Sequence, residues 1–229
     1  WPASFVLNRD VAEVFAAEVE KASEGRIKIR VYGPDVIPSF EQISPVQDGV
    51  FDMLASHPAY HSGTVGSAMS IDGVRTGVEL RRQSGAWDVF DRLYQKHGLK
   101  MLSIAQLGDK SLQFITREPF DPETGYQGRV IRGTVPWHYM IRKLGGAPMV
   151  LPASGLYSAL ERGVVDGAGF SLFGVAIFRM DEVARFMVRP AYASICAMIM
   201  MNGDRWAKLS PEDQQLLLDV GYKFEHETL

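Results

Sequence analysis

Apolar positions Val11, Val14, Phe15, Val19 and Ala22 fall on one stripe of a 3.6-residue period, which predicts an amphipathic helix over 10–24. Asn8 or Asp10 would cap its start, and Gly25 would end it in the left-handed conformation. Residues 27–31 (Ile-Lys-Ile-Arg-Val) then alternate with period two, the pattern of a half-buried strand. A turn-rich stretch over 33–38 leads to a short helix over 41–49 and a strand over 51–55. Helix followed by strand twice over implies a parallel sheet.

A second helix is predicted over 79–97, with Trp87, Phe90, Leu93 and Tyr94 on one side and Gly98 as its stop; strands follow at 101–105 and 112–115. The alternation then repeats as strand 130–132, helix 137–144 ended by Gly145-Gly146, and strand 149–151. A helix over 154–162 ends at Gly163, with a short strand at 164–165. Strands at 186–188 and 194–201 come last, before a helix that opens on Ser210-Pro211-Glu212-Asp213, a cap, a first-turn proline and two acids at the positive helix end. The chain therefore reads as α/β in two blocks, joined near 106–112.

Composition adds exclusions. The 229 residues are 46% hydrophobic and 22% charged, with formal net charge −3. That is ordinary globular usage, and slight acidity argues against a nucleic-acid partner, which calls for a basic face. One cysteine, Cys196, leaves no intramolecular disulfide framework and no Cys-rich zinc site. The longest nearly apolar run, 191–202, is too short to span a bilayer.

Motifs for catalysis and metal binding fail one by one. His57 and His61 stand four apart, but Pro58 sits inside that spacing and no Glu follows the first histidine, so no metal is expected. Gly169-Phe-Ser-Leu-Phe173 opens like a hydrolase elbow but ends in Phe173, which would crowd the sharp turn. Gly167-Ala-Gly169 opens like a dinucleotide fingerprint, but Leu172 blocks close helix packing. Cys196 lies in an apolar run with no adjacent base, where a thiol is inert. No catalytic residue and no cofactor is expected.

Ligand recognition remains. Arg132 stands at the C-terminal end of an expected parallel strand, where ligands bind in open α/β sheets. Its planar fork suits a carboxylate held bidentately, or a structural salt bridge; position alone leaves both open. Arg117, just after the 112–115 strand, has a similar position. Trp137, His138 and Phe170 are close in sequence to strand ends, where rings serve as core or as pocket wall.

Several segments together resemble one family. Phe15 to Val31 and Val46-Gln-Asp-Gly-Val-Phe-Asp-Met53 are similar to the first helix–strand and the Val-x-x-Gly-x-x-Asp-Met pattern of DctP-type solute-binding proteins of tripartite ATP-independent periplasmic (TRAP) transporters. Gly128-Arg-Val-Ile-Arg132, Leu144-Gly-Gly-Ala-Pro-Met-Val150 and Leu156-Tyr-Ser-Ala-Leu-Glu-Arg-Gly-Val-Val-Asp-Gly167 continue the likeness in the family's order and spacing. Asp181 to Phe186, Asn202 and Trp206 to Gln214 extend it toward the C-terminus.

The resemblance implies a two-lobed, type II periplasmic-binding-protein fold with a ligand cleft between the lobes and a C-terminal helical segment. Lobe 1 is expected over 1–110, lacking its first strand, and lobe 2 over 111–197. Residues 198–229 would supply a return strand and a helix packing back on lobe 1. A cleaved leader would precede Trp1, the location would be the periplasm, and the family's C-terminal helices would continue past Leu229. The family likeness assigns Arg132 to the ligand carboxylate and Arg117 to a second contact. Phe170 falls where many members carry Trp or Asn, a departure that favours an aromatic or apolar ligand body over a polyol. Trp137 and His138 would line the same side; His57, Tyr60 and His61, with Trp1 and Ser4, would contribute from lobe 1. The implied function is hinge closure over a small organic carboxylate and delivery to membrane permease subunits, as a monomer and without a chemical step. The alternatives are a ligand-sensing protein with the same fold and, less favoured, an α/β enzyme.

Overall fold

Why the chain forms two separate sheets follows from which strands find partners. The computed structural model describes residues 11–33, 35–74, 77–106 and 111–227. It divides into unit 1, residues 1–107 with 196–229, and unit 2, residues 108–195.

Unit 1 opens with α1 (Val14–Ala22), α2 (Ile43–Gln47) and β1 (Met53–Ser56). It continues with α3 (Val78–Gln83), α4 (Ala86–Gln95) and β2 (Leu99–Gln106). The three-stranded sheet has the order β1-β8-β2, with β8 (Cys196–Asn202) antiparallel to both neighbours. The parallel pairing expected of the stretches at 27–31 and 51–55 does not form; among the described strands β1 pairs only with β8, which arrives from the far end of the sequence. β8 is buried along its whole length, with Cys196, Met198 and Met200 in one core with Leu54, Trp87, Phe90, Tyr94 and Ile104. After β8 come α8 (Gly203–Ala207) and α9 (Pro211–Glu227), which packs on β2 and α1.

Two local expectations for unit 1 are corrected. Residues 27–31 keep their alternation of half-buried and exposed positions but pair with no described strand. Period two measures burial; a ladder also needs a neighbour. The helix expected over 79–97 breaks into α3 and α4 because Gly85 adopts φ +75° between them.

Unit 2, after β3 (Leu112–Thr116), carries β4 (Val130–Arg132), α5 (His138–Lys143), β5 (Ala147–Met149), α6 (Leu156–Glu161), β6 (Gly167–Ser171), α7 (Leu172–Ile177) and β7 (Phe186–Ala193). Its five-stranded sheet has the order β5-β4-β6-β3-β7. β5, β4 and β6 run parallel, and β3 is antiparallel to both β6 and β7. One face packs Ile115, Ala168 and Phe170 against Leu156, Leu160 and Val175; the other packs Phe114 and Ile131 against Tyr126 and Ile141.

β6 replaces the short strand expected at 164–165, and its sequence hides it. Gly167 and Gly169 have low strand propensity, yet the sheet requires small residues there. A Cβ on Gly167 would lie 2.7 Å from the Ile115 carbonyl oxygen, and one on Gly169 2.6 Å from the Tyr192 hydroxyl.

Candidate functional site

The site is built at one edge of the unit 2 sheet, where three parallel strands end together. Arg132 is the last residue of β4, paired in register with Ala168 of β6 and Met149 of β5. Its Nε donates to the Leu151 carbonyl at 2.9 Å and its Nη1 to the Gly169 carbonyl at 3.0 Å. The guanidinium carbon lies 5.7 Å from the centroid of the Phe170 ring. Backbone carbonyls thus fix the plane of the fork, and the ring supports it from the side.

Arg132 is only 4% exposed, and among the described residues no carboxylate stands within ion-pair distance of it. An arginine stays charged at any ordinary pH, and a buried charge is expensive unless an opposite charge offsets its lost hydration. Arg81 in unit 1 shows the usual arrangement. It is equally buried, and its Nη2 faces Glu225 Oε2 at 3.4 Å while also donating to the Ile104 carbonyl at 3.1 Å. Nη2 of Arg132 has no such partner among the described residues.

Phe170 faces the same side of the sheet as Arg132 and touches Phe178 edge-on, with centroids 5.8 Å apart. Its register partner on β3 is Gln113, buried beside it. Antiparallel partners share a face, so Gln113 belongs to the same surface as Phe170 and Arg132. Sequence reasoning passed it over, although a lone amide inside Leu112-Gln-Phe-Ile115 was a signal.

Other expected residues of unit 2 are placed differently. Arg117 is exposed, and its backbone amide donates to the Asp166 carbonyl at 2.9 Å. Because β3 runs antiparallel to β6, its C-terminal end lies at the start of β6, and the structure does not bring Arg117 to Arg132. Trp137 is half-buried, its ring 4.9 Å from that of Tyr192, which stacks on Phe114 on the opposite sheet face. His138 Nε2 lies 3.1 Å from the Gly133 carbonyl, within its own turn. Ser171 accepts the Gly174 amide proton at 3.2 Å and so caps α7; it has no base to make it a nucleophile among the described residues.

In unit 1, His57 and His61 flank the turn after β1 and are both buried. His57 Nδ1 accepts the Ala59 amide proton at 3.1 Å, so Nε2 carries the ring proton and donates to Asp72 Oδ1 at 3.1 Å. His61 Nε2 donates to the Tyr94 hydroxyl at 2.7 Å, and that hydroxyl donates to Met198 Sδ at 3.3 Å. Burial, with a smaller contribution from His57, pushes the His61 pKa down to about 3. Tyr60 is half-buried and tilts against Phe40 at 5.0 Å. Trp1 and Ser4 lie outside the described residues.

His57, Asp72 and Cys196 place potential metal ligands within 4.8 Å of one another. They do not fit a metal ion. Coordination through Nε2 would move the ring proton to Nδ1, where it would face the Ala59 amide proton instead of an acceptor. Burial also pushes the Cys196 thiol up, and the thiol donates to Asp72 Oδ1 at 3.9 Å, so this oxygen already serves both neighbours.

The chain is similar in sequence and fold to known solute-binding proteins. The chain is 30% identical over 224 residues to a solute-binding protein of Albidiferax ferrireducens, covering 92% of this chain and 65% of that protein. It is 26% identical over 220 residues to the ectoine-binding periplasmic protein TeaA of Halomonas elongata, covering 91% of this chain and 63% of that one. The chain thus spans just under two thirds of these relatives. Among solved structures, a TRAP periplasmic solute-binding protein of Rhodoferax ferrireducens with bound malonate superposes with TM-score 0.81 at 25% identity, over 96% of this chain and 72% of that one. A TRAP transporter solute-binding protein of Bordetella bronchiseptica, with copurified calcium and picolinate, reaches TM-score 0.89 at 20% identity, over 100% and 71%. The model of the DctP family, bacterial extracellular solute-binding protein family 7, matches residues 1–225, and the chain belongs to that family.

Proposed function

We propose that this chain is the ligand-capturing part of a periplasmic, TRAP-type solute-binding protein, which takes up a small organic carboxylate and hands it to membrane permease subunits. One observation carries the reading: Arg132 is a buried, fixed, permanently charged fork without a carboxylate partner among the described residues. A ligand carboxylate would supply the missing charge through two parallel hydrogen bonds. The malonate in the Rhodoferax neighbour supports that choice of chemistry.

The mechanism is recognition without a reaction. The carboxylate loses its hydration on binding, and the arginine replaces it with a donor pair whose orientation costs nothing further. A ligand that binds a closed arrangement of the two units more tightly would shift the population toward it. The protein works as a monomer in this scheme, and the ion gradient acts on the permease.

Calorimetry tests the assignment with carboxylates and their primary amides. The wild-type chain should bind an acid and ignore its amide. Arg132→Ala should lose on the order of 2–5 kcal/mol of binding while keeping its circular dichroism spectrum. Equal affinity in wild type and Arg132→Ala would refute the role of Arg132.

A further inference from the structure

The three strands that end beside Arg132 are each followed by an exposed apolar side chain. Val135 comes after β4 at 58% exposure, Val150 after β5 at 40%, and Leu172 after β6 at 48%. Phe170 lies inside this rim, under the guanidinium. Arg132 is also the single buried cation among the described residues of unit 2. Polar groups at this edge are largely committed to the protein: Ser171 Oγ to the Gly174 amide and His138 Nε2 to the Gly133 carbonyl. Two exceptions are Gln113, the buried amide in register with Phe170, and Ser111, whose backbone carbonyl accepts from the Leu172 amide at 2.9 Å and whose buried hydroxyl has no partner among the described residues.

From this juxtaposition we infer that the ligand is a monocarboxylic acid with an aliphatic or aromatic body and at most two further polar groups. The inference rests on the carboxylate reading of Arg132 and narrows it. A second carboxylate would find no second buried cation among the described residues of this unit. The several hydroxyls of a sugar acid would exchange water for Val135, Val150, Leu172 and Phe170, none of which can hydrogen-bond them, and each unpaired hydroxyl weakens binding. An apolar body gains by the same exchange. The Gln113 amide and the Ser111 hydroxyl leave room for one or two keto or hydroxyl groups.

The test is calorimetry on the purified 229-residue chain with phenylacetate, 4-methylpentanoate, 2-oxo-4-methylpentanoate, D-glucuronate and malonate. At least one of the first three should bind tenfold or more tightly than both D-glucuronate and malonate, a difference of about 1.4 kcal/mol. In Val135→Asn/Leu172→Asn, two changes at exposed positions, that ratio should shrink toward one. D-Glucuronate or malonate binding as tightly as the apolar acids, or an unchanged ratio in the double variant, would overturn the inference. Phenylacetamide separates the two readings. If it binds like phenylacetate while the apolar preference persists, the Arg132 reading fails and the apolar rim stands. If none of the five acids binds, both fail.

Discussion

The Arg132 guanidinium lies over the Phe170 ring, 5.7 Å from its centroid, while both Nε and Nη1 are held by backbone carbonyls. The fork is therefore oriented before any ligand arrives, and binding does not have to freeze a long flexible side chain. That order has a cost, because among the described residues only carbonyl dipoles and a ring quadrupole stabilise the buried charge.

From that cost follows an unusual stability effect. Arg132→Met should raise the melting temperature of the ligand-free chain or leave it unchanged, because an uncompensated buried charge is replaced by an apolar chain of similar length. Arg81→Met should do the opposite and destabilise by about 1.5–3 kcal/mol, because it removes one of the two arginines on the buried Glu225 carboxylate, the other being Arg82 at 3.0 Å. Parallel thermal melts of the two variants measure the contrast. A large drop in both would mean that Arg132 is an ordinary structural arginine.

Gly167→Ala should destabilise unit 2 by about 1–3 kcal/mol, the usual cost of overpacking. The added methyl would meet a backbone carbonyl of β3, 2.7 Å away, which cannot swing aside. Urea denaturation of the variant gives the number directly.

Asn202 ties three elements together. Its Oδ1 accepts the Arg205 amide proton at 2.9 Å, capping α8, and its Nδ2 donates to the Val46 and Gln47 carbonyls at 2.8 and 3.0 Å. Asn202→Ala removes the cap and the donor to the Gln47 carbonyl, while the Val46 carbonyl keeps the Gly49 amide, so a loss of about 1–3 kcal/mol is expected in chemical denaturation. Asn202→Asp should retain the cap and lose only the two donated bonds.

His61 makes stability fall with acid. Its folded pKa of about 3 lies below the ordinary histidine value of 6.5, so between those values the unfolded chain binds the extra proton. Stability from this group is complete above pH 6.5 and should decline by about 2 kcal/mol on going to pH 5. His61→Phe should flatten that part of the profile, leaving the Tyr94 hydroxyl its bond to Met198. An identical pH dependence in the variant would exclude His61 as the source.

Features written in consecutive residues were legible in advance. The last helix begins as expected, with the Asp213 amide donating to Ser210 Oγ at 3.1 Å, and Gly25, Gly98 and Gly163 take the positive φ of +80°, +73° and +70° expected of helix stops. Arg132 stood out for the same reason, since β4 and the turn after it are local. What the pattern hid was tertiary. β6 is a strand because its glycines allow β3 to approach, and the stretch at 27–31 is not one because no described neighbour pairs with it. Gln113 became visible only through its register with Phe170. The roles of His57 and His61 were set by Asp72 and Tyr94, far along the chain, which no spacing rule reaches.

Strand pairing at the two ends of unit 2 has a final consequence. Gln106 of β2 is the register partner of Cys196 of β8, and Leu112 of β3 is the partner of Ala193 of β7. Each unit therefore has its cut ends on neighbouring strands. A short turn from Gln106 to Cys196 would close unit 1 into one continuous chain, and unit 2 would begin and end side by side. The unit that carries the arginine is thus a cassette: two cuts exchange it without re-threading the sheet that receives it.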